Sequence, residues 1–305
     1  MAQRLISVAD AIARVTPLQG RNLRQERITA GITNINWRIH DTDTGEIFFL
    51  KIHGPGTDNF LDRPVAHEAA LKVAQSGVGP AMLFYDPEAG IEMHEYLHGY
   101  HSCTVRDTQD PVIRQNIMAC YKAVHSAHVL SGTKTGFDQL KGHLIRLRAQ
   151  SAVFPPDMEL LLWQAARAER AVTAAGMDIV ACYNDGYISN YMVNAQSAVK
   201  MIDWEYAANN DPYWDIAMFS YESFFLGDAA VSGLLEMYDG TARADLVARV
   251  SLYIGVASLT WGCWAMYQML NSSIPFDFGK YADILFLRAR RAMAAEAWET
   301  ALARV

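Results

Sequence analysis

Tyr183-Asn184-Asp185-Gly186-Tyr187-Ile188-Ser189-Asn190, followed after a short strand pair by Met201-Ile202-Asp203-Trp204-Glu205-Tyr206, is the stretch on which the reading of this 305-residue chain turns. An aspartate, four residues and an asparagine place a carboxylate and an amide on one loop. A second aspartate then stands at the end of an apolar strand. Taken singly, an Asp beside a Gly is a turn former. Together the three are the parts that phosphoryl transfer needs, because its difficulty lies in alignment and charge neutralisation. In that reading Asp185 accepts or orients the proton of an attacking hydroxyl, Asn190 binds a metal ion, and Asp203 holds Mg²⁺ against the phosphates of ATP.

Upstream, residues 25–40 alternate polar and apolar positions about a turn near Gly31, which predicts a hairpin. Asp43-Thr44-Gly45 makes another turn, and 46–52 a strand with Lys51 near its end. Residues 54–63 read as loop, and 64–76 as a helix with Pro64 in its first turn. Two short strands around 81–85 and 90–96 follow. Residues 1–20 read as an amphipathic helix. Beyond residue 100 the apolar spacing turns helical, at 111–131, at 155–176 and from 213 to the end, interrupted by short strands over 178–206. The expectation is an α+β, bilobal fold: a small antiparallel-sheet lobe over 1–98 and a larger, mostly helical lobe over 99–305.

With 51% hydrophobic and 19% charged residues, the composition is that of a soluble globular protein. No run of 18 apolar residues stands out, so no membrane span is expected, and the charged N-terminus lacks a signal-peptide pattern. Cys103, Cys120, Cys182 and Cys263 form no C-x-x-C pair, which points away from zinc and disulfides and toward a reducing cytoplasm. A net charge of −7 argues against nucleic-acid binding. His125 and His128 lie three apart on a helical stretch with no third ligand nearby, so packing or solvent is expected of them, not metal.

On these motifs the chain resembles the choline kinase and aminoglycoside phosphotransferase superfamily, which has the protein-kinase-like fold, from about residue 28 to 270. The family's loop commonly reads H-N-D-x-x-x-x-N, and Tyr183 stands where His is usual. Ile202-Asp203-Trp204-Glu205-Tyr206-Ala207 and the segment Asn210–Ala217 are similar to the choline kinase form. The resemblance implies ATP and Mg²⁺ as cofactors. It makes Thr29–Asn36 the nucleotide loop, with Thr33 and Asn34 near the phosphates. It gives Lys51 the α- and β-phosphates, pairs Glu68 of the next helix with Lys51, and puts the backbone of Glu95, Tyr96 and Leu97 against adenine. Asp215 is then expected to brace the catalytic loop, and Asp211 to do the same or to cap the helix starting near Pro212.

Trp261-Gly262-Cys263-Trp264 is similar to the choline kinase segment whose tryptophans line the acceptor pocket. Residues three apart share a helix face. By itself such a pair reads as core packing; the alternative is a cage of ring quadrupoles for a quaternary ammonium, which has no N–H to donate. Gly262 would let a backbone or a ligand come close. The resemblance puts Glu222 near the ammonium, Tyr206 and Trp214 are expected to close the cage, and Glu205 is expected to bind the substrate. The expected activity is ATP-dependent phosphorylation of choline to phosphocholine, with a small amino alcohol as partner and a homodimer left open. Alternatives are ethanolamine, thiamine or an amino sugar as acceptor, or a catalytically inactive kinase-like binding protein.

Overall fold

Alternation builds the sheet that carries Lys51. The computed structural model describes residues 6–29, 31, 34–54, 61–272 and 274–305. After helix α1 (Val8–Arg14), strands β1 (Leu23–Ile28), β2 (Ile35–Asp41) and β3 (Ile47–Ile52) form a meander. Helix α2 (Arg63–Gln75) and strands β4 (Met82–Asp86) and β5 (Ile91–Glu95) follow. The five strands are antiparallel in the order β1-β2-β3-β5-β4. Between β3 and β5, Lys51 stands opposite Glu92, Phe49 opposite His94, Leu50 opposite Met93 and Ile52 opposite Ile91. Successive side chains point to opposite faces. One face therefore sends Phe48, Leu50, Ile52, Ile91 and Met93 into an apolar cluster with Ala11, Val15 and Leu18. The other presents Phe49, Lys51, Glu92 and His94 to a cavity.

The helix expected over 1–20 is shorter. It stops at Val15, and Thr16–Leu18 form a 3-10 turn around Pro17, which has no N–H to carry a helix on. Gln19 Nε2 then donates to the exposed Ala13 carbonyl at 2.8 Å. Helix α2 starts at the Asp62 cap, and its Val65, Ala69 and Val73 join the large helical core, not the core of the sheet.

The rest of the chain is mostly helical. It contains β6 (Tyr100–Ser102), α3 (Pro111–Ala127), α4 (Gly136–Ala149), α5 (Met158–Ala175), β7 (Val180–Cys182), β8 (Tyr191–Asn194), β9 (Val199–Met201), β10 (Ala208–Asn210), α6 (Pro212–Glu222), α7 (Asp228–Asp239), α8 (Ala244–Asn271), α9 (Phe278–Met293) and α10 (Glu296–Arg304). Helix α4 is absent from the sequence reading, although Thr135 and Asp138 form a capping box at its start. Strands β6, β8 and β9 make one small sheet and β7 with β10 another, and both frame the loop 183–190. Helix α8 is long and apolar enough to cross a membrane by length and composition. It is instead the central core helix, packed against α4, α6, α9 and α10. The architecture is thus the expected α+β one, an antiparallel N-terminal sheet followed by a helical C-terminal part.

Candidate active site

The loop holding Asp185 is fixed from beneath by Asp215 on α6. Its carboxylate, fully buried, accepts from the backbone N–H of Tyr183 at 2.7 Å and of Asn184 at 2.8 Å, and from His125 Nε2 at 3.0 Å. His125 Nδ1 pairs with the Tyr238 hydroxyl at 2.7 Å. The trio His125, Cys182 and Asp215 lies close enough to suggest a metal, but these bonds already occupy His125 and Asp215, and Cys182 Sγ donates to the Asn210 carbonyl at 3.4 Å. Asn184 takes a left-handed φ of 62°, a conformation Asn tolerates better than most residues. Its amide donates to the carbonyls of Tyr206 and Ala208 and accepts from Asn210 Nδ2 at 2.8 Å. Gly186 has no alternative, since a Cβ there would meet Met218 Cβ at 2.6 Å. Tyr183, in the place where His is usual, donates its hydroxyl to the Ile202 carbonyl at 2.5 Å, and Ile202 N donates to Asn190 O at 3.0 Å. The two motif segments are therefore one tied unit. Asp203 ends it with φ at 64°, a strain of about 1–3 kcal/mol that clusters at functional positions.

Charge is concentrated here. Lys51, 6% exposed, lies 2.7 Å from Asp203 Oδ1, 2.8 Å from Glu205 Oε1 and 3.9 Å from Glu92 Oε2. Burial works against its ammonium, but these carboxylates outweigh burial and raise its pKa. Glu205 also accepts from Arg63 Nη1 at 3.0 Å and Asn34 Nδ2 at 2.9 Å. Burial pushes it up, and Lys51 and Arg63 pull it lower than an ordinary glutamate. Asp203 is raised, by burial and by Glu205 and Glu92 against the pull of Lys51. Asp185 is raised well above the carboxylate range by burial and by Asp203, with Glu222 and Glu205 adding to it. Asn190 Nδ2 donates to Asp185 Oδ2 at 3.2 Å. Desolvation of this kind moves a carboxylate toward the range where a general base works. Asn190 and Asp203 offer an amide oxygen and a carboxylate, the hard donors that a divalent cation such as Mg²⁺ takes.

One cavity of about 420 Å³ gathers these groups with an aromatic wall. Lys51, Glu92, Asp185, Asn190, Asp203 and Glu205 line it, as do Asn34, Glu95, Tyr96 and Leu97. Tyr206, Trp261, Trp264, Tyr187 and Tyr281 line it too, with Glu222. Tyr206 and Trp261 meet edge to face at 5.1 Å, and Trp261 and Trp264 at 5.5 Å. Burial lifts the Glu222 carboxyl to about 7, with Arg288 opposing.

Three expected placements are corrected. Glu68 does not pair with Lys51: it faces Lys72, at 2.6 Å, and Ser131, because α2 turns that side away from the cavity. Trp214 is a core residue, 0% exposed, wedged against Gly136 and Tyr253, and does not line the cavity. Glu205 lines the same cavity as the aromatic wall and is bonded there to Lys51 and Arg63. Gly262 admits the Phe286 ring of α9, where a Cβ would come within 2.8 Å, and not a ligand. Thr33 lies outside the described residues. Asp211 caps α6 through Tyr213 N at 3.0 Å and also accepts from Arg249 and Tyr253. Glu92, Arg63, Tyr187 and Tyr281 escaped the sequence reading. Strand alternation from Lys51 offers a partial signal for Glu92; the others depend on tertiary packing.

The family model described as choline/ethanolamine kinase matches residues 25–230. Among curated proteins, a probable choline kinase 2 of Arabidopsis thaliana is 23% identical over 297 residues, covering 88% of this chain and 82% of the relative. An ethanolamine kinase 2 of Mus musculus is 23% identical over 290 residues, covering 87% and 74%. Among solved structures, a choline/ethanolamine kinase family protein from Mesorhizobium loti superposes with a TM-score of 0.83 at 26% identity, covering 96% of each chain. The motif loop, the lysine strand and the matched span agree: this chain belongs to the choline/ethanolamine kinase family and is a phosphotransferase with an alcohol group as acceptor.

Proposed function

We propose that this chain transfers the γ-phosphoryl group of ATP to the hydroxyl of choline, giving phosphocholine, with Mg²⁺ held by Asp203 and Asn190. The observation that carries the choice of acceptor is the wall of Tyr206, Trp261, Trp264 and Tyr281 with Glu222, in the same cavity as Asp185 and Lys51. Methylated ammonium groups are attracted by ring faces at roughly 0.5–2 kcal/mol each, and a buried carboxylate adds Coulomb attraction. Seating the cation there leaves the hydroxyl for Asp185, which takes or orients its proton. Lys51 meets the phosphates, and the backbone of residues 95–97 faces the base. Bound Mg²⁺ screens the charge of the transferred group. In this reading residues 1–98 supply the nucleotide side and 99–305 the acceptor side, and the protein works in the cytoplasm.

The test is ATP consumption by the purified chain against choline, ethanolamine, thiamine and amino sugars. Choline should have the highest kcat/KM. A clear preference for ethanolamine would assign the acceptor to a primary ammonium that donates to Glu222. Trp264→Ala should raise the KM for choline far more than the KM for ATP; equal increases would remove the cage from the argument.

A further inference from the structure

We propose that Glu92, on the strand beside Lys51, is a positioning residue that keeps the Lys51 ammonium aimed into the cavity when Asp203 turns to its metal ion. This rests on the phosphotransferase reading above. Lys51 has three carboxylate neighbours, at 2.7 Å (Asp203), 2.8 Å (Glu205) and 3.9 Å (Glu92). Asp203, the nearest, is the one the proposed function gives to Mg²⁺, whereas Glu205 is also bonded to Arg63 and Asn34. Once Asp203 is engaged, Lys51 is left with Glu205, which it shares with Arg63 and Asn34, and with Glu92.

Glu92 is anchored differently. It stands directly opposite Lys51 in the register of β3 and β5, so the pair lies within one sheet. Both of its oxygens are held: His53 Nε2 donates to Oε1 at 2.7 Å and His94 Nε2 to Oε2 at 3.2 Å. A carboxylate clamped at both oxygens cannot swing, and so marks a fixed point for the ammonium. It also stays charged. Burial opposes ionisation, but Lys51, His53 and His94 hold its pKa well below the usual carboxylate range. Glu68, the acid that helix spacing offers for this duty, is bonded to Lys72 and Ser131.

A double-mutant cycle tests this. Mg·ATP affinity is measured by calorimetry without acceptor, and steady-state kinetics with it, for wild type, Glu92→Gln, Glu92→Asp, Lys51→Met, Lys51→Met/Glu92→Gln and Glu68→Gln. Glu92→Gln should lower kcat/KM for ATP about tenfold and move the acceptor KM less than twofold. Glu92→Asp should recover part of the loss, and Glu68→Gln should match wild type. In the Lys51→Met background, Glu92→Gln should cost nothing further. A wild-type Glu92→Gln, or losses that multiply in the double variant, would overturn the proposal. If Glu92→Gln does not fold, the same cycle runs with Glu92→Asp, whose loss must also vanish without Lys51. The binding arm needs no acceptor, so failure to phosphorylate choline or ethanolamine and failure of Glu92 to act through Lys51 give different results.

Discussion

Asp185 and Glu222 are two carboxyls in one cavity, both raised by burial, and the proposed function gives them different duties. Asp185→Asn keeps the shape and removes the base. Turnover should fall by at least ~10² with ATP affinity nearly intact, since general bases contribute that much; near-normal turnover would take Asp185 out of the mechanism. Glu222, at about 7, should make acceptor binding depend on pH. Above 7 it is charged and faces the cation. As pH falls through 7 it takes up a proton and the counter-charge is lost. The KM for choline, whose own charge is fixed, should therefore rise toward about tenfold per pH unit below 7, and Glu222→Gln should show a high, flat KM. A flat wild-type profile between pH 6 and 8 would refute this. At this scale the sequence was readable where the groups lining the cavity sit on local spacing. Asp185, Asn190 and Asp203 follow from a loop and a strand end, and Lys51 from a strand. Glu68 and Trp214 misled because a helix position fixes which side a residue is on, not what that side meets.

Helix α6 shows the same limit and its solution. Asp215, Met218 and Glu222 follow the three-and-four spacing of one helix face. That face braces the loop, abuts Gly186 and ends at the aromatic wall of the cavity. Trp214, one residue before Asp215, is rotated away into the core. Binary pattern cannot show this, because nearly the whole helix is buried. Asp215→Asn replaces a carboxylate serving three donors with a group that has one acceptor oxygen. At least one buried donor then loses its partner, at about 1–3 kcal/mol. The variant should unfold at lower temperature, and its kcat should fall about tenfold or more with both KM values little changed, because the loop carrying Asp185 loosens while the binding walls stay. A lowered unfolding temperature with unchanged kcat would make Asp215 a stability residue only. Helix α4, by contrast, carries a local signal for its start in the Thr135–Asp138 capping box.

Across the whole molecule, two apolar clusters flank the cavity, one under the N-terminal sheet and one through the helices. Polar contacts link the sheet side to the helical side: Lys51 to Asp203 and Glu205, and Asn34 to Glu205. The order of elements gave the sheet and the helical part, but not this bridge, which joins residues 152 positions apart. Breaking a buried ion pair by removing one partner costs about 3–5 kcal/mol, so Lys51→Met should destabilise the protein strongly at neutral pH. The pH dependence follows from sign. In wild type, Glu92 and Glu205 are held below 4.5, so their contribution is present above the unfolded value of about 4.3 and lost as pH falls through their folded values. Without Lys51, burial and mutual repulsion should raise Asp203, Glu205 and Glu92, as the same causes already raise Asp185. Raised carboxyls favour the folded state at low pH and penalise it as pH rises past the unfolded value. The gap in unfolding temperature between wild type and Lys51→Met should thus be widest near pH 8 and narrow steadily toward pH 5. A gap that stays constant over that range would mean that Lys51 contributes by packing its stem, and that the charges across the cavity do not couple its two sides.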